Sequence, residues 1–303
     1  MVRQRLISIG TFNRALWSYY RKHKRDMPWR RDTSPYAVVV SEIMLQQTQV
    51  SRVLVKFPAW MKRFPGWRAL AKAPMNEALR EWSGLGYNRR ALYLKRIAET
   101  LMEKAPAKPR LPDTFEVLRV LPGIGPNTAG SILAFAFNIP HPFIETNIRS
   151  LFIHEFFANI EKREGRKACK KIRDDEIMPI IERALADAMK SGPFKGNARE
   201  WYWALMDYGA HLKQGERSMK QGEKTAHKSA HHVRQKPFKG SNRELRSAVL
   251  RSIMRKDTSM GEILQEHVDR SPKQMRAALA GLIADGFIIS DKKRARNVFR
   301  VRD

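Results

Sequence analysis

Apolar residues recur at helical spacing through the first two thirds of the chain. One such segment carries Val53, Phe57 and Trp60, which stand three or four positions apart. Residues at this spacing share one face of an α-helix, so the pattern predicts a helix with a buried face. Between residues 33 and about 212, no stretch alternates apolar and polar side chains for more than a few positions. This indicates an all-α region.

The N-terminal segment is basic and its first acid is Asp26, as in a mitochondrial transit peptide. It also contains the string RALWSYYRKH, in which apolar and aromatic groups repeat at helical spacing. We favour a folded amphipathic helix over a transit peptide, because this repeat gives the helix a face to bury.

Residues 213–239 break the helical pattern. They include eight lysines and arginines, two acids and hardly any large apolar side chain, so they lack the apolar surface needed to order themselves. His227, His231 and His232 lie here, but without Cys or acid at ligand spacing they indicate a solvated loop rather than a metal site. The chain is therefore predicted to have three parts: a core over residues 1–212, a basic linker or loop over residues 213–240, and a small domain over residues 241–303.

Helical periodicity returns in the last part of the chain. Helices are predicted near residues 244–254, 260–265 and 272–285, and the closing string GFIISDKKRARNVFRV predicts two strands around a charged turn. Three helices followed by a hairpin resemble a winged helix, so this part is predicted to be a small α+β domain.

The charge of the chain is its most unusual property. Lysine and arginine number 58 against 30 acids, which gives a formal net charge of +28 and a pI near 10.6. Apolar residues make up 43% and charged residues 29%, so the composition is that of a folded protein. The excess of positive charge favours a polyanionic partner, with nucleic acid first and an anionic membrane surface second.

The winged-helix-like part has basic residues suited to DNA, although many winged helices contact proteins instead. The candidates are Lys273, Gln274 and Arg276 on the third helix for a groove, and Lys292, Lys293, Arg294 and Arg296 in the turn for phosphates.

Cys169 is the single cysteine. Because there is only one cysteine, the chain cannot form an internal disulfide, and it cannot by itself hold a Cys-ligated zinc finger or an iron–sulfur cluster. No apolar run approaches the roughly 18 residues that span a bilayer. We therefore expect a cytoplasmic, nucleoid-associated protein without a metal or cofactor and without a membrane partner.

The string LPDTFEVLRVLPGIGPNTAG predicts a helical hairpin. Asp113 and Glu116 have the spacing of a capping box that starts a short helix. Gly123 and Gly125 allow a tight turn close to a ligand, and a second helix follows Pro126. The first N–H groups of that helix can hold a phosphate. The whole string resembles the helix-hairpin-helix that holds one DNA strand without reading its bases.

Several strings occur in one order: RDMPWR, SPYAVVVSEIMLQQTQV, GLGY, LPGIGPNTAG, PFIETNIRSLF and WALMDYGA. Together they resemble the helix-hairpin-helix (HhH-GPD) base-excision DNA glycosylases, most closely the MutY-type A/G-specific adenine glycosylases. The resemblance covers roughly residues 25–210 and implies that family's fold.

The resemblance implies a catalytic role for Glu42, Glu145 and Asn147. Cleavage of an N-glycosidic bond needs an acid that protonates the leaving base and a second carboxylate that stabilises the sugar cation. Glu42 lies beside Ile43 and Met44, and we expect this apolar company to keep its proton available. The alternative role for Glu42 is a charge that caps the N-terminus of its helix. Glu145 stands where the family has aspartate, and Asn147 matches an asparagine that orients water or that carboxylate.

The resemblance also implies residues that bind the base and the DNA. Bifunctional relatives carry a nucleophilic lysine where this chain has Asn127, so no Schiff base is expected. Gln46 and Gln47 would fill the gap left by a flipped base, and Leu85 and Tyr87 would wedge into the stack; packing on a helix face is the alternative for the two glutamines. The remaining positions carried over are Arg25, Trp29 and Arg30 in the base pocket, where Trp29 has the alternative of a core aromatic, and Gly123, Gly125 and Thr128 at the DNA backbone.

Two features of the family are missing. Four cysteines are expected after the MDYGA string, where this chain reads HLKQGERSMK, and the tail does not resemble the domain that reads 8-oxoguanine. We expect that the loop otherwise organised by a cluster is held in another way, for which the basic linker is one candidate.

The resemblance implies a monofunctional DNA glycosylase of base-excision repair. Its expected partner is double-stranded DNA with a mispaired or damaged base, first adenine opposite guanine or 8-oxoguanine, and we expect it to act as a monomer. Thymine, uracil or hypoxanthine as the target base is the first alternative. A non-catalytic DNA-binding protein on the same scaffold, and a basic protein of membrane surfaces, are the others.

Overall fold

A computed structural model describes residues 7–157, 171–215, 228–231, 238–291 and 298–302. The helices are α1 (Ile9–His23), α2 (Pro28–Arg31), α3 (Pro35–Leu45), α4 (Val50–Arg63), α5 (Trp67–Lys72), α6 (Met75–Trp82), α7 (Arg89–Lys104), α8 (Phe115–Arg119), α9 (Pro126–Phe137), α10 (Thr146–Phe152), α11 (Asp174–Lys190), α12 (Ala198–Gly215), α13 (Asn242–Arg255), α14 (Met260–Glu266) and α15 (Pro272–Ala284). The strands are β1 (Thr258–Ser259), β2 (Ile288–Asp291) and β3 (Val298–Val301). The predicted mainly α chain with a small C-terminal sheet is confirmed.

Two compact units make up the fold, and each is formed by separate stretches of chain. The first contains Met1–Val38, Pro112–Val120 and Ile124–Arg234, and the second contains Val39–Leu111, Leu121–Gly123 and Gln235–Asp303. The sequence-based boundaries after residues 212 and 240 stay a prediction.

The first unit is organised around α1. Ser8 caps this helix by accepting a hydrogen bond from the Thr11 backbone N–H. Phe12, Leu16 and Tyr20 then follow one another on the buried face, as their spacing of four predicts. The predicted amphipathic helix is therefore present, and it packs against α11 and α12.

Asn13 joins these three helices from inside the core. Its amide nitrogen donates to the Ala184 carbonyl at 3.0 Å and to Asp187 at 2.8 Å, while its oxygen accepts from the Trp201 indole at 2.9 Å. A buried amide with all of these partners satisfied fixes the relative rotation of the helices.

The second unit has a core of stacked helices and large aromatic residues. Trp60 of α4 meets Phe64 and, edge to face, Trp82 of α6, and both tryptophans are fully buried. Helix α7 packs against α5 and α6, and its Lys95 ammonium donates to the Ala71 carbonyl at 3.0 Å.

The C-terminal segment of the second unit follows the order helix, strand, helix, helix, strand, strand. The sheet is antiparallel with strand order β1-β3-β2, in which Phe299 of β3 lies opposite both Thr258 of β1 and Ser290 of β2. Ser259 and Ser271 form capping boxes that start α14 and α15. This topology supports the winged-helix interpretation, which stays a prediction. The basic turn at residues 292–297 lies outside the described residues.

One predicted helix start is wrong. The N-cap of α8 is Thr114, with no side-chain cap bond, so Asp113 and Glu116 do not form a capping box. Their spacing is that of a capping box, but the helix begins one residue later. The structure also excludes the alternative role for Glu42 as a cap of its helix, because α3 begins at Pro35 and Glu42 lies in its last turn.

Part of the basic linker is tied to the start of α11. The Ile172 N–H donates to Lys228 O, and Ala230 N–H donates to Ile172 O, both at 2.8 Å. His231 accepts from the Asp174 N–H at 3.4 Å. This short parallel bridge orders residues 228–231, which the sequence predicted to be loop; His227 and His232 lie outside the described residues.

Among the described residues, no helix has the length and apolar character needed to cross a bilayer. The same residues contain no group of three His, Cys, Asp or Glu side chains that could hold a metal ion. Cys169 is not among them.

Candidate active site

Glu42 projects from the last turn of α3. Its side chain is half-buried, and the neighbouring Ser41, Ile43 and Met44 are 2%, 0% and 0% exposed. The helix is apolar on almost every side because its residues from Tyr36 to Met44 are otherwise core residues. Glu42 is the one acid of this helix, so the sequence places a carboxyl group at the edge of a dry core.

The glutamines that follow α3 form a turn. The Thr48 N–H donates to Leu45 O at 3.2 Å, and Gln47 adopts a left-handed φ of +54°. Gln47 is exposed and Gln46 is half-buried. The Gln46 amide donates to the Gly123 carbonyl at 3.4 Å, which joins the glutamine turn to the hairpin string.

Arg90 ties this turn to the GLGY string. Its Nη1 donates to the carbonyls of Ile43, Met44 and Gln46 at 2.9, 2.9 and 2.5 Å. These carbonyls lie at the C-terminal end of α3, where no intrahelical donor remains. Arg90 therefore caps the turn of helix that carries Glu42.

The second branch of Arg90 reaches the other turn. Its Nη2 donates to Thr48 Oγ1 at 2.9 Å and to the carbonyls of Leu85 and Gly86 at 3.1 and 2.9 Å. Arg90 is 5% exposed, and burial lowers its pKa to about 10. The group remains charged at neutral pH and stabilises two turns at once.

Tyr87 and Leu85 differ in exposure. Tyr87 is 38% exposed and Leu85 is 3% exposed. Tyr87 also has a left-handed φ of +48°, and Gly84 and Gly86 of the same turn have φ of +92° and +73°. The turn therefore presents the tyrosine ring outward and buries the leucine.

The two hairpin glycines are required to different degrees. Gly123 has a φ of +76°, and a Cβ at this position would overlap the Tyr93 ring. Both the left-handed backbone and the lack of space therefore exclude a side chain here. Gly125 has an ordinary φ of −85° as the N-cap of α9, and a Cβ there would meet nothing within 4 Å.

The start of α9 carries Asn127 and Thr128. The Asn127 side-chain oxygen accepts from the Ile144 N–H at 3.2 Å, which links this helix to the segment before α10. Thr128 is half-buried, and its carbonyl accepts from the Ser131 hydroxyl at 3.0 Å.

Glu145 is the N-cap of α10. Its Oε1 accepts from the backbone N–H groups of Asn147 and Ile148 at 2.8 and 3.0 Å, and its Oε2 accepts from the Asn147 side chain at 3.3 Å. Three N–H donors therefore hold this carboxylate in one orientation at a helix N-terminus, where negative charge is favoured.

Lys213 completes this cluster from α12. Its ammonium donates to the Asn147 side-chain oxygen at 2.9 Å. The same helix passes close to α10 at Gly209, where an added Cβ would overlap the Asn147 carbonyl oxygen. Glycine at this position lets α12 lie close enough for the lysine to reach.

Arg25 and Arg30 bind one buried carboxylate. Asp207, whose side chain is 1% exposed, accepts from Arg25 Nε at 2.6 Å and from both terminal nitrogens of Arg30 at 2.8 Å. The Arg30 guanidinium also lies 5.3 Å from the Trp203 ring centroid. Trp29 beside them is 8% exposed. Trp29 therefore lies in the core of the first unit and Arg30 is largely buried beside it, whereas the Arg25 side chain is 35% exposed.

Sequence reasoning missed Arg90, Lys213 and Asp207. A signal was present for the first two. Arg90 occupies the same face of α7 as the buried Leu94, Ile97 and Leu101, and Lys213 follows Leu205 and Gly209 at steps of four. A charge at a core position of a helical repeat indicates a buried partner.

The family comparison covers the central part of the chain. Residues 40–175 match the HhH-GPD superfamily, described as base excision DNA repair proteins. Glu42, the hairpin string, Glu145 and Asn147 all fall within this range.

The curated relatives include two from mycobacteria. The chain is 35% identical over 196 residues to an adenine DNA glycosylase of Mycobacterium tuberculosis (strain ATCC 25618 / H37Rv). The alignment covers 64% of this chain and 59% of the relative. It is 44% identical over 136 residues to an adenine DNA glycosylase of Mycolicibacterium smegmatis, covering 44% and 45%. The chain thus spans less than two thirds of these relatives.

A solved structure of a thermostable thymine-DNA glycosylase shares the fold. It aligns with a TM-score of 0.55 and 20% identity, and the alignment covers 73% of this chain and 92% of the other.

Proposed function

We propose that the chain is a monofunctional DNA glycosylase, because residues 40–175 match the HhH-GPD superfamily of base excision DNA repair proteins. It hydrolyses the N-glycosidic bond of a base flipped out of a duplex. The relatives matched are adenine DNA glycosylases, which favours adenine as the target, opposite guanine or 8-oxoguanine. The observation that carries the proposal is that the matched range contains two carboxyl groups in contrasting surroundings.

In this proposal Glu42 is the general acid. An acid that donates to a leaving base must hold its proton near neutral pH, which apolar surroundings favour. The half-buried position of Glu42 beside Ile43 and Met44 supports this role. Arg90 binds three backbone carbonyls that follow Glu42 in the chain and so fixes the turn from which Glu42 projects.

Glu145 is the second carboxylate and stabilises the cation that develops on the sugar. Its three N–H donors hold the carboxylate in one orientation at a helix N-terminus, which supports this role. Asn147, fixed between Glu145 and Lys213, orients this carboxylate or the attacking water. Glutamate is one methylene longer than the family's aspartate, so the Glu145 carboxylate stands further from its backbone.

Water is the nucleophile in this proposal. Asn127 takes the place of a nucleophilic lysine, and its side-chain oxygen is bonded to the Ile144 N–H. An amide cannot form a Schiff base with the sugar.

The glutamine turn after α3 and the GLGY turn, here called the two outward turns, serve base flipping in this proposal. Flipping costs a few kcal/mol of lost stacking and pairing, in order of magnitude, and side chains that fill the gap offset it. Gln47 and Tyr87 are exposed at left-handed turn positions and are the side chains best placed to enter the stack. Leu85 would have to leave its buried site to do so.

The residues present do not fit the iron–sulfur cluster of the family. Such a cluster needs four thiolates or similar ligands, and the chain has one cysteine. In the described part of this region, Lys213 bonds to Asn147 and residues 228–231 bond to Ile172, so other contacts hold these segments.

A base-release panel tests the proposal. The protein is incubated with duplexes that carry adenine opposite 8-oxoguanine, adenine opposite guanine, thymine opposite guanine, uracil opposite guanine and hypoxanthine opposite thymine, and abasic sites are then cleaved with alkali. We expect cleavage of an adenine mispair. Cleavage of another base alone would give the same chemistry a different target.

The acid is tested with Glu42→Gln, which keeps the size of the side chain and removes its proton. We expect base release to fall by at least about a hundredfold, the usual contribution of general acid catalysis, while duplex binding is retained. Glu81→Gln, a half-buried carboxylate of α6, is the control. Absence of base release from every duplex would leave a non-catalytic DNA-binding protein as the better interpretation.

We also propose that the protein acts as a monomer on nucleoid DNA. Gel filtration with light scattering, with and without duplex, measures this directly.

A further inference from the structure

The C-terminal segment contributes a side chain to the GLGY turn. Arg243, the second residue of α13, donates from Nη1 to the Tyr87 hydroxyl at 2.6 Å. Its guanidinium carbon lies 5.6 Å from the centroid of the same ring. The two residues are 156 positions apart in the chain, so only the packing of α13 brings them together.

Tyr87 is thereby held by two arginines. Arg90 lies 5.5 Å from the ring centroid and bonds to the preceding carbonyls of Leu85 and Gly86. Arg243 fixes the other end of the side chain through its hydroxyl. The backbone of Tyr87 has a left-handed φ of +48°, which is unfavourable for a residue with a Cβ and persists only where the surroundings impose it.

A second set of contacts links α13 to the start of α7. Asp285 forms ion pairs with Arg89, two residues after Tyr87, and with Arg246, three residues after Arg243. Arg246 lies one turn further along α13 than Arg243, so the N-terminal half of α13 is fixed against this turn. The position of Arg243 is therefore set by the fold of the second unit.

We propose that Arg243 is a positioning residue that pre-organises Tyr87 for insertion into the base stack. This inference rests on the function proposed above and gives the C-terminal segment a part in base flipping. An aromatic ring that is held in place before DNA binds loses less conformational entropy on insertion.

A double-mutant cycle between Arg243 and Tyr87 tests the inference with the full-length chain. The readout is the fluorescence of 2-aminopurine placed beside the mispair, which reports flipping without requiring bond cleavage. Single-turnover base release is measured in parallel. We expect Arg243→Ala to reduce the flipped fraction about tenfold, the effect of one hydrogen bond to a charged group. Arg243→Lys, which keeps a donor and the charge, restores part of it.

The cycle separates positioning from a structural role. In Tyr87→Phe, which lacks the hydroxyl, Arg243→Ala is expected to have little further effect. Arg251→Ala, on the same helix, removes the same charge and serves as the control. Should Arg243→Ala fail to fold, Arg243→Met provides the same comparison with the side-chain stem retained.

Several outcomes would overturn the inference. They are an unchanged or larger flipped fraction in Arg243→Ala, an equal loss in the presence and absence of the Tyr87 hydroxyl, or an equal loss in Arg251→Ala. Failure of the proposed function is a separate result, because the unsubstituted protein would then release no base from any duplex of the panel.

Discussion

The Lys213 ammonium lies 2.9 Å from the side-chain oxygen of Asn147, and Asn147 in turn donates to Glu145. A lysine from α12 thus fixes the orientation of the carboxylate proposed to stabilise the sugar cation. Without Lys213 the Asn147 amide can rotate, and one of the three donors to Glu145 loses its fixed position.

We expect Lys213→Met to slow single-turnover base release about tenfold, because a charge-assisted hydrogen bond contributes roughly 1.5–3 kcal/mol. Duplex affinity is expected to fall by no more than in Lys190→Met, which removes an exposed charge at the end of α11. Equal rates in the two variants would show that Lys213 has no part in orienting Asn147.

Gly209 and Gly215, both on α12, allow the same substitution to be compared at a crowded and at an open position. A Cβ at Gly209 would overlap the Asn147 carbonyl oxygen, whereas one at Gly215 would meet nothing within 4 Å. Gly209→Ala is expected to lower the free energy of unfolding by about 1–3 kcal/mol through overpacking and to slow base release. Gly215→Ala is expected to change it by less than about 0.5 kcal/mol. Urea unfolding of both variants measures the difference, and similar stabilities would contradict the close approach of α12 to α10.

Arg90 and its neighbour Arg89 give a second comparison. Arg90→Met removes the six hydrogen bonds that Arg90 donates to the end of α3, the glutamine turn and the GLGY turn. We therefore expect the free energy of unfolding to fall by about 3 kcal/mol or more. Arg89→Met removes a partly exposed ion pair with Asp285 and is expected to cost less than about 1 kcal/mol. Chemical unfolding monitored by circular dichroism distinguishes the two, and equal losses would contradict the buried network.

Glu262 makes the stability of the C-terminal segment depend on pH. Hydrogen bonds from Lys256 and from Ser259 lower the pKa of this carboxyl from 4.5 to about 2. Because the folded pKa lies below the unfolded one, the stabilisation is complete above about pH 4.5 and is lost as the pH falls towards about 2.

The melting temperature of Glu262→Gln is therefore expected to lie below that of the unsubstituted protein above about pH 4.5, and the difference should vanish near pH 2. Thermal unfolding at a series of pH values measures this. Glu103→Gln, an exposed carboxylate near the end of α7, is the control. A difference independent of pH would assign the effect to packing.

The sequence alone predicted the helical character of the chain and two of the three described strands of the C-terminal sheet, but not β1. Apolar spacing predicted α1 and α13 to α15, and the alternation after Gly286 predicted β2 and β3. These features depend on residues within a few positions of one another, so a linear pattern contains them. The helix start at Asp113 was wrong because several nearby residues can cap a helix, and packing chooses among them.

Only the tertiary structure decided how the candidate site is supported. Arg90 is 47 positions from Ile43, Lys213 is 66 from Asn147, and Arg243 is 156 from Tyr87. None of these pairs follows from local spacing, because each depends on how closely two helices pack. The sequence determined which residues have acid, amide and aromatic chemistry. Packing determined which of them are fixed and by what, since a buried charge is stable only where the fold supplies its partners.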